Sequence, residues 1–335
     1  MLPRTAHRIA FGFDFRLAPV HNRDHNPALR PANAQFPQCC GNSNADQDDP
    51  VTATPPRLFD RDLMAWRLKQ AAAEADFVTE LAVNDLMDRL APIKRRFEKA
   101  LVMAPRAEGL PKTAATADGP ISFETAATLA PGTARQVDPE ALDLGATDYD
   151  LIVSLFDLST VNDVPGFLVR LRQHLRPDGL LIAATLGGNS LTELRRAWLA
   201  ADAETVGGAA PRIAPMIEVR DAGALLQRAG FALPVTDVET HRVRYADPIA
   251  LMRELKSLGA ANPLAERPKG LVTPNRLVAA ARHYAEIAGD PDGRVGATLE
   301  IIWMSGWAPD ESQQKPLAPG SAKASLRDVL GDKSD

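Results

Sequence analysis

The chain has 335 residues, 45% of them apolar and 24% charged, which is ordinary for a globular protein with room for one large domain or two small ones. Its 38 basic residues against 43 acidic ones give a net charge of −5, which argues against the basic footprint of a nucleic-acid binder. Two adjacent cysteines, Cys39-Cys40, supply neither a disulfide framework nor a zinc site, and no apolar run reaches the roughly 18 residues of a membrane span.

Residues 1–56 read as a disordered leader. Residues 1–45 hold five arginines (Arg4, Arg8, Arg16, Arg23, Arg30) against Asp14 and Asp24, but prolines break them and the serine content of an organelle transit peptide is missing. A start codon placed too far upstream would give the same pattern. Residues 57–98 predict two amphipathic helices, with Leu63, Trp66 and Leu68, then Phe77, Leu81, Leu86 and Leu90, at helical spacings.

From 99 to 307 short apolar runs alternate with helical patterns. Strands are predicted at Ala100-Met103, Ile121-Phe123, around Gln136-Val137, and at Leu151-Leu155, Leu180-Ala184, Val235-Val243 and Thr298-Trp303. The alternation implies a mostly parallel sheet with helices on both faces, and the period-two pattern of the last two runs suits an antiparallel pair at the sheet edge. "DVPGFLVRLRQHLRPDG" predicts a helix closed by a Pro177-Asp178-Gly179 turn, with His174 at the surface near its end. A helical block at about 188–218 is placed as a lid beyond a strand's carboxyl end, and another helical insertion spans about 247–290. Residues 308–335 predict an extended tail, in which Glu311, Gln313, Gln314 and Lys315 offer polar contacts to a client.

This order of strands resembles the class I S-adenosylmethionine-dependent methyltransferase fold, an α/β, Rossmann-like, seven-stranded sheet. "YDLIVSLFDLSTVNDVPGFLVRLRQHLRPDGLLIAATLGGNSLTELR", "RDAGALLQRAGFALPVTDVET", "ALMRELKSLGAAN" and "DGRVGATLEIIWMSGWAPDESQQKP" resemble the methyltransferase-like assembly factors of respiratory complex I, and "LFDRDLMAWR" resembles their opening motif. The malonyl-carrier-protein methyltransferase of biotin synthesis is more distantly similar. The resemblance implies an assembly factor with a protein client, a complex I core subunit in which an arginine is hydroxylated. The bacterial form implies a cytoplasmic location, the organelle form the mitochondrial matrix.

Methyltransferases of this class follow their first strand with an acidic residue and several glycines, which let the backbone approach the cofactor. Here that stretch is Met103-Ala104-Pro105-Arg106-Ala107-Glu108-Gly109. Pro105 lacks an N–H, and Arg106 and Glu108 add bulk, so S-adenosylmethionine binding is expected to be weak or lost. By the resemblance, Ala104 and Gly109 hold the loop positions, Glu124 the ribose carboxylate, Asp138 the adenine side and Asp157 the end of the fourth strand. From the residues alone, Glu124 reads equally as a helix-capping acid and Asp138, with Glu140, as turn decoration. Ser159 and Thr160 stand where relatives show a His-Trp pair, and Asn162 and Asp163 either face the mouth or cap the next helix. Gly187-Gly188 turns the chain into the lid, and Trp303 and Trp307 read as core and edge-covering.

Three functions fit this reading: an assembly factor that modifies a client arginine, a methyltransferase for a carrier-bound or small acid, and a client-binding protein without catalysis. The resemblance does not settle whether the chain is an enzyme, and the sequence names no catalytic residue.

Overall fold

The computed structural model describes residues 57–71 and 76–314. The leader, Cys39-Cys40 and the part of the tail from Lys315 onward lie outside the described residues. Helices α1 (Arg61–Gln70) and α2 (Phe77–Leu90) each open on an aspartate that satisfies an orphan amide: Asp60 accepts from Leu63 N and Asp76 from Thr79 N, both at 3.0 Å. The two helices then differ. α2 buries Ala82, Leu86 and Leu90, whereas α1 buries none of its residues and leaves Trp66 60% exposed. The apolar spacing in α1 therefore serves something other than the core.

The sheet comprises β1 (Ala100–Arg106), β2 (Thr113–Thr116), β3 (Gly119–Ala130), β4 (Arg135–Gln136), β5 (Tyr149–Leu155), β6 (Leu175–Leu186), β7 (Ala232–Tyr245) and β8 (Val295–Trp307). Its order is β2-β3-β1-β5-β6-β8-β7, with β4 also paired to β3. β4, β3, β1, β5 and β6 are mutually parallel, and β8 runs antiparallel between β6 and β7. With β2 set aside, this is the seven-stranded arrangement of the class I methyltransferase fold, including the antiparallel pair expected from the alternating runs.

β2 is an addition with a structural consequence. The connection from β1 to β3 contains no helix; it turns at Gly109 (φ +86°) and folds back as the β2–β3 hairpin, whose two-residue loop is Ala117-Asp118. Ala-Asp-Gly is a hairpin signal, and Gly119 carries the φ of +143° that a side chain would resist.

Alternate residues of the central strands face opposite layers. Leu101, Met103, Ile152 and Leu181 pack with α3 (Val164–His174) and α5 (Val219–Arg228), while Val102, Val153, Ile182 and Trp303 pack with α2. α4 (Thr192–Val206), α6 (Pro248–Ser257) and α7 (Pro274–Ala288) share a third core around Trp198, Leu251 and Tyr284. The lid and the later helical insertion, separate in sequence, thus form one helical layer.

Two local expectations change. His174 is buried at 9% exposure, with Nδ1 2.6 Å from Ala146 O and Nε2 3.3 Å from Leu142 O, because the chain after β4 folds over the end of α3. Pro177-Asp178-Gly179 lies within β6, in a bulge between the pairs Tyr149↔Leu175 and Leu151↔Leu180. The tail also begins later than its composition suggests. Ala308 is buried, donates to Gly179 O at 2.8 Å and accepts from Asp178 N at 3.1 Å, so residues 308–314 fold back onto that bulge.

Candidate functional site

Beyond the carboxyl ends of the parallel strands lies a cavity of about 1330 Å³. Its floor is Ala104-Pro105-Arg106 at the end of β1, Phe156 and Leu158–Asn162 after β5, and Thr185-Leu186 at the end of β6. α1, the start of α2, the α4 lid and α6 wall it, and most of the wall is apolar. This is the crevice where open α/β sheets bind ligands.

Two arginines brace the floor, of which Arg106 lines the cavity and Arg61 does not. Arg61 of α1 donates from Nη1 to Thr160 O at 2.9 Å and from Nη2 to Thr128 O at 3.2 Å, tying the end of β3 to the loop after β5. Arg106 donates from Nη2 to Leu68 O, with Ala71 O at 3.3 Å. A guanidinium there suits the carbonyl-rich end of α1, where Leu68 O also accepts from Ala71 N at 3.3 Å. The apolar run Ala100-Met103 extends to Arg106 as strand, so Pro105 sits in the last part of β1 rather than in a cofactor loop.

The positions singled out in the sequence are not brought together. Ala104 lines the cavity, and Gly109 makes the turn toward β2 without lining it. Glu124 is opposite Leu101 near the start of β1, where its Oε2 accepts from the Tyr149 hydroxyl at 2.8 Å. It is therefore at the wrong end of β3 for a ribose, and the end nearer the cavity reads Ala130-Pro131-Gly132, with no carboxylate of its own. Burial, then the bond to Glu124, pushes the Tyr149 hydroxyl up to about 12. Asp138 is exposed and accepts from Glu140 N at 3.0 Å, which is the turn role. Asp163 caps α3 through Gly166 N at 2.9 Å, while Asn162 joins Phe59 N (2.7 Å) to the Glu140 carboxylate (2.8 Å).

Asp157 lies beneath the cavity floor, fully buried, and accepts from Thr128 Oγ1 at 2.7 Å and Ser154 Oγ at 2.8 Å. Burial pushes its carboxyl up to about 6, against the two hydroxyls and the Arg61 charge that pull it down. Phe156, at φ +66°, makes the kink that sends Asp157 inward.

The LGG-x-S motif has a packing explanation. A Cβ on Gly187 would run into the Glu300 carboxyl and one on Gly188 into Glu218, while Ser190 Oγ donates to Glu300 O at 3.0 Å. Glu193 of the E-L-R triplet accepts from Thr298 Oγ1 and from Thr298 N, fixing the lid's first turn to β8. Arg61 is the residue that sequence reasoning missed: nothing in its spacing separates it from an ordinary surface arginine.

A search against protein-family models finds no match. The human protein named arginine-hydroxylase NDUFAF5, mitochondrial, is 34% identical over 299 residues, covering 84% of this chain and 86% of that protein. The chain belongs to the NDUFAF5 arginine-hydroxylase family. The zebrafish member (Danio rerio) is 39% identical over 199 residues, an alignment spanning 62% of its own length, just short of two thirds. A malonyl-[acyl-carrier protein] O-methyltransferase of Halorhodospira halophila is 33% identical over 57% of this chain and 63% of that protein. Among solved structures, YcgJ of Bacillus subtilis aligns over 69% of this chain and 99% of its own with a TM-score of 0.42 and 9% identity; the fold assignment rests on the strand order.

For this NDUFAF5-family member the charge of the cavity is as telling as its shape. Among the described residues, Arg67, Arg106, Arg212, Arg253 and Lys256 line it, against one carboxylate, Asp76, which is engaged in capping α2. Arg212 is held by a two-pronged pair with buried Asp202, both contacts at 2.9 Å, and stacks 4.3 Å from the Trp198 ring.

Proposed function

We propose that this protein assists assembly of respiratory complex I by acting on a protein client, a core subunit, without a tightly held S-adenosylmethionine. Family membership across 86% of the human arginine-hydroxylase is the observation that carries the reading. Bacterial cytoplasm is the proposed site of action, with the mitochondrial matrix as the alternative.

The residues present do not fit the methyltransferase cofactor. The carbonyls of Thr128, near the end of β3, and Thr160, in the loop after β5, are taken by Arg61, Pro105 offers no amide, and β3 ends without a carboxylate. This weighs against the second reading of the sequence, methylation of a carrier-bound or small acid. Arginine hydroxylation is favoured by the names of the relatives, but a substrate guanidinium would enter a cavity lined, among the described residues, by five cations and one engaged carboxylate. Holding the client is thus the activity that the site supports best.

The test is deletion of the gene. Loss of rotenone-sensitive NADH dehydrogenase activity with biotin independence intact is expected; biotin auxotrophy with normal complex I would replace this reading with the carrier-protein one. Mass analysis of the client subunit from the two strains separates the enzymatic form, which adds one oxygen to an arginine, from the purely binding one.

A further inference from the structure

We propose that the large cavity is a binding site for a single-chain amphipathic carboxylate of the long-chain fatty-acid class. The inference goes beyond the assembly reading and does not depend on it. Two independent features of the cavity specify the two ends of such a molecule.

The interior specifies an apolar body. Met64, Leu186, Leu251 and Leu277, from α1, β6, α6 and α7, line it together with Leu194 and Ile213 of the lid. Its volume of about 1330 Å³ exceeds the roughly 300–1,000 Å³ of ordinary small-ligand sites. A polar or charged ligand placed among these side chains would lose its water without gaining partners. A hydrocarbon chain loses nothing there, and its polar end must stay at the mouth.

The mouth specifies the sign of that end. Arg253 and Lys256, one helical turn apart on α6, are both exposed cavity-lining residues, and neither makes an ion pair among the described residues. Glu254, between them in sequence, does not line the cavity. The free charge at the α6 edge is therefore positive, next to an apolar interior. That pairing suits a carboxylate with its chain inward and repels a cationic client side chain.

The arrangement also supplies its own reporters. Trp66 and Trp198 line the cavity, whereas Trp303 and Trp307 belong to the sheet and do not.

The experiment uses the full chain, with oleate and methyl oleate competing against a fluorescent conjugated-polyene fatty acid, and a dibrominated stearate as a tryptophan quencher. Saturable one-to-one binding is expected, with the ester about tenfold weaker than oleate because it lacks the charge that the mouth recognises. Arg253→Glu combined with Lys256→Glu, at exposed positions, should weaken oleate by about tenfold and leave the ester unchanged. Trp66→Phe should remove part of the quenching without removing binding. Leu277→Trp, which adds bulk at a partly buried lining position, should abolish binding of both; should that variant unfold, the charge reversal still decides. Absence of saturable binding, or equal binding of acid and ester that the charge reversal does not change, would overturn the proposal.

Discussion

The side-chain amide of Gln313 donates to the Asp178 carboxylate at 2.9 Å, joining residues 135 positions apart. The same amide nitrogen lies 2.8 Å from Ala308 O, and Arg95 reaches the other oxygen of Asp178 at 2.6 Å. Partial burial raises the Asp178 carboxyl, but the bonds from Gln313 and Arg95 outweigh it and leave it below its ordinary value. The stabilisation from this depressed carboxyl is present at neutral pH and disappears as pH falls through the acid range.

Truncation after Trp307 should therefore destabilise the fold by about 2–4 kcal/mol, since it removes buried Ala308, its two backbone bonds to the bulge and the Gln313 contact. A chain ending at Gln314 retains all of these. The gap between the two melting temperatures measures the contribution of residues 308–314; equal values would show that the anchoring is not used.

Asp157→Asn should flatten the acid limb of the stability profile. A carboxyl raised to about 6 in the fold binds its proton more tightly there than in the unfolded chain, so stability increases as pH falls from about 6 toward 4. The charged form at pH 7.5 costs about 3 kcal/mol relative to the neutral one, so the asparagine variant should melt no lower than the parent at that pH. Denaturant melts at pH 4.5, 6 and 7.5 check both halves; a parent profile without the slope, or a large loss in the variant at pH 7.5, refutes the assignment.

Arg61→Ala should cost about 2–4 kcal/mol, because Thr128 O and Thr160 O each lose a charged donor. Hydrogen exchange should increase at the ends of β3 and β5 and spare α5, on the far side of the sheet. Uniform change across the protein would mean that Arg61 is not a local tie.

Direct titration with S-adenosylmethionine should give a Kd weaker than roughly 100 μM, since missing amide and carboxylate partners remove several kcal/mol and each 1.4 kcal/mol is tenfold. Arg106→Ala should not improve it, because Pro105 and the acid-free end of β3 remain. A micromolar constant in the parent would restore the enzymatic readings.

The strands were legible because apolar runs and their period report burial directly: Leu151-Leu155 and the alternating "VTDVETHRV" each lie within the predicted kind of strand. The Asp118-Gly119 hairpin signal was present too, but the reading of the stretch after the first strand went to its cofactor loop. Glu124 shows the opposite difficulty. Following a short apolar run, it fits a strand-end carboxylate, yet β3 continues to Ala130, and which end of a strand a residue occupies depends on a length that the run does not set. Arg61 and Arg106 were illegible as a pair because both bond to carbonyl oxygens, which every residue type carries alike.

Arg61, the first residue of α1, makes the outline of the crevice depend on a helix outside the sheet. Its guanidinium bridges Thr128 O and Thr160 O, so a substitution that freed those carbonyls for a new ligand would loosen the fold before the ligand could replace the bridge. Shape and stability are thus coupled at one side chain, much as a keystone both closes an arch and fixes its outline.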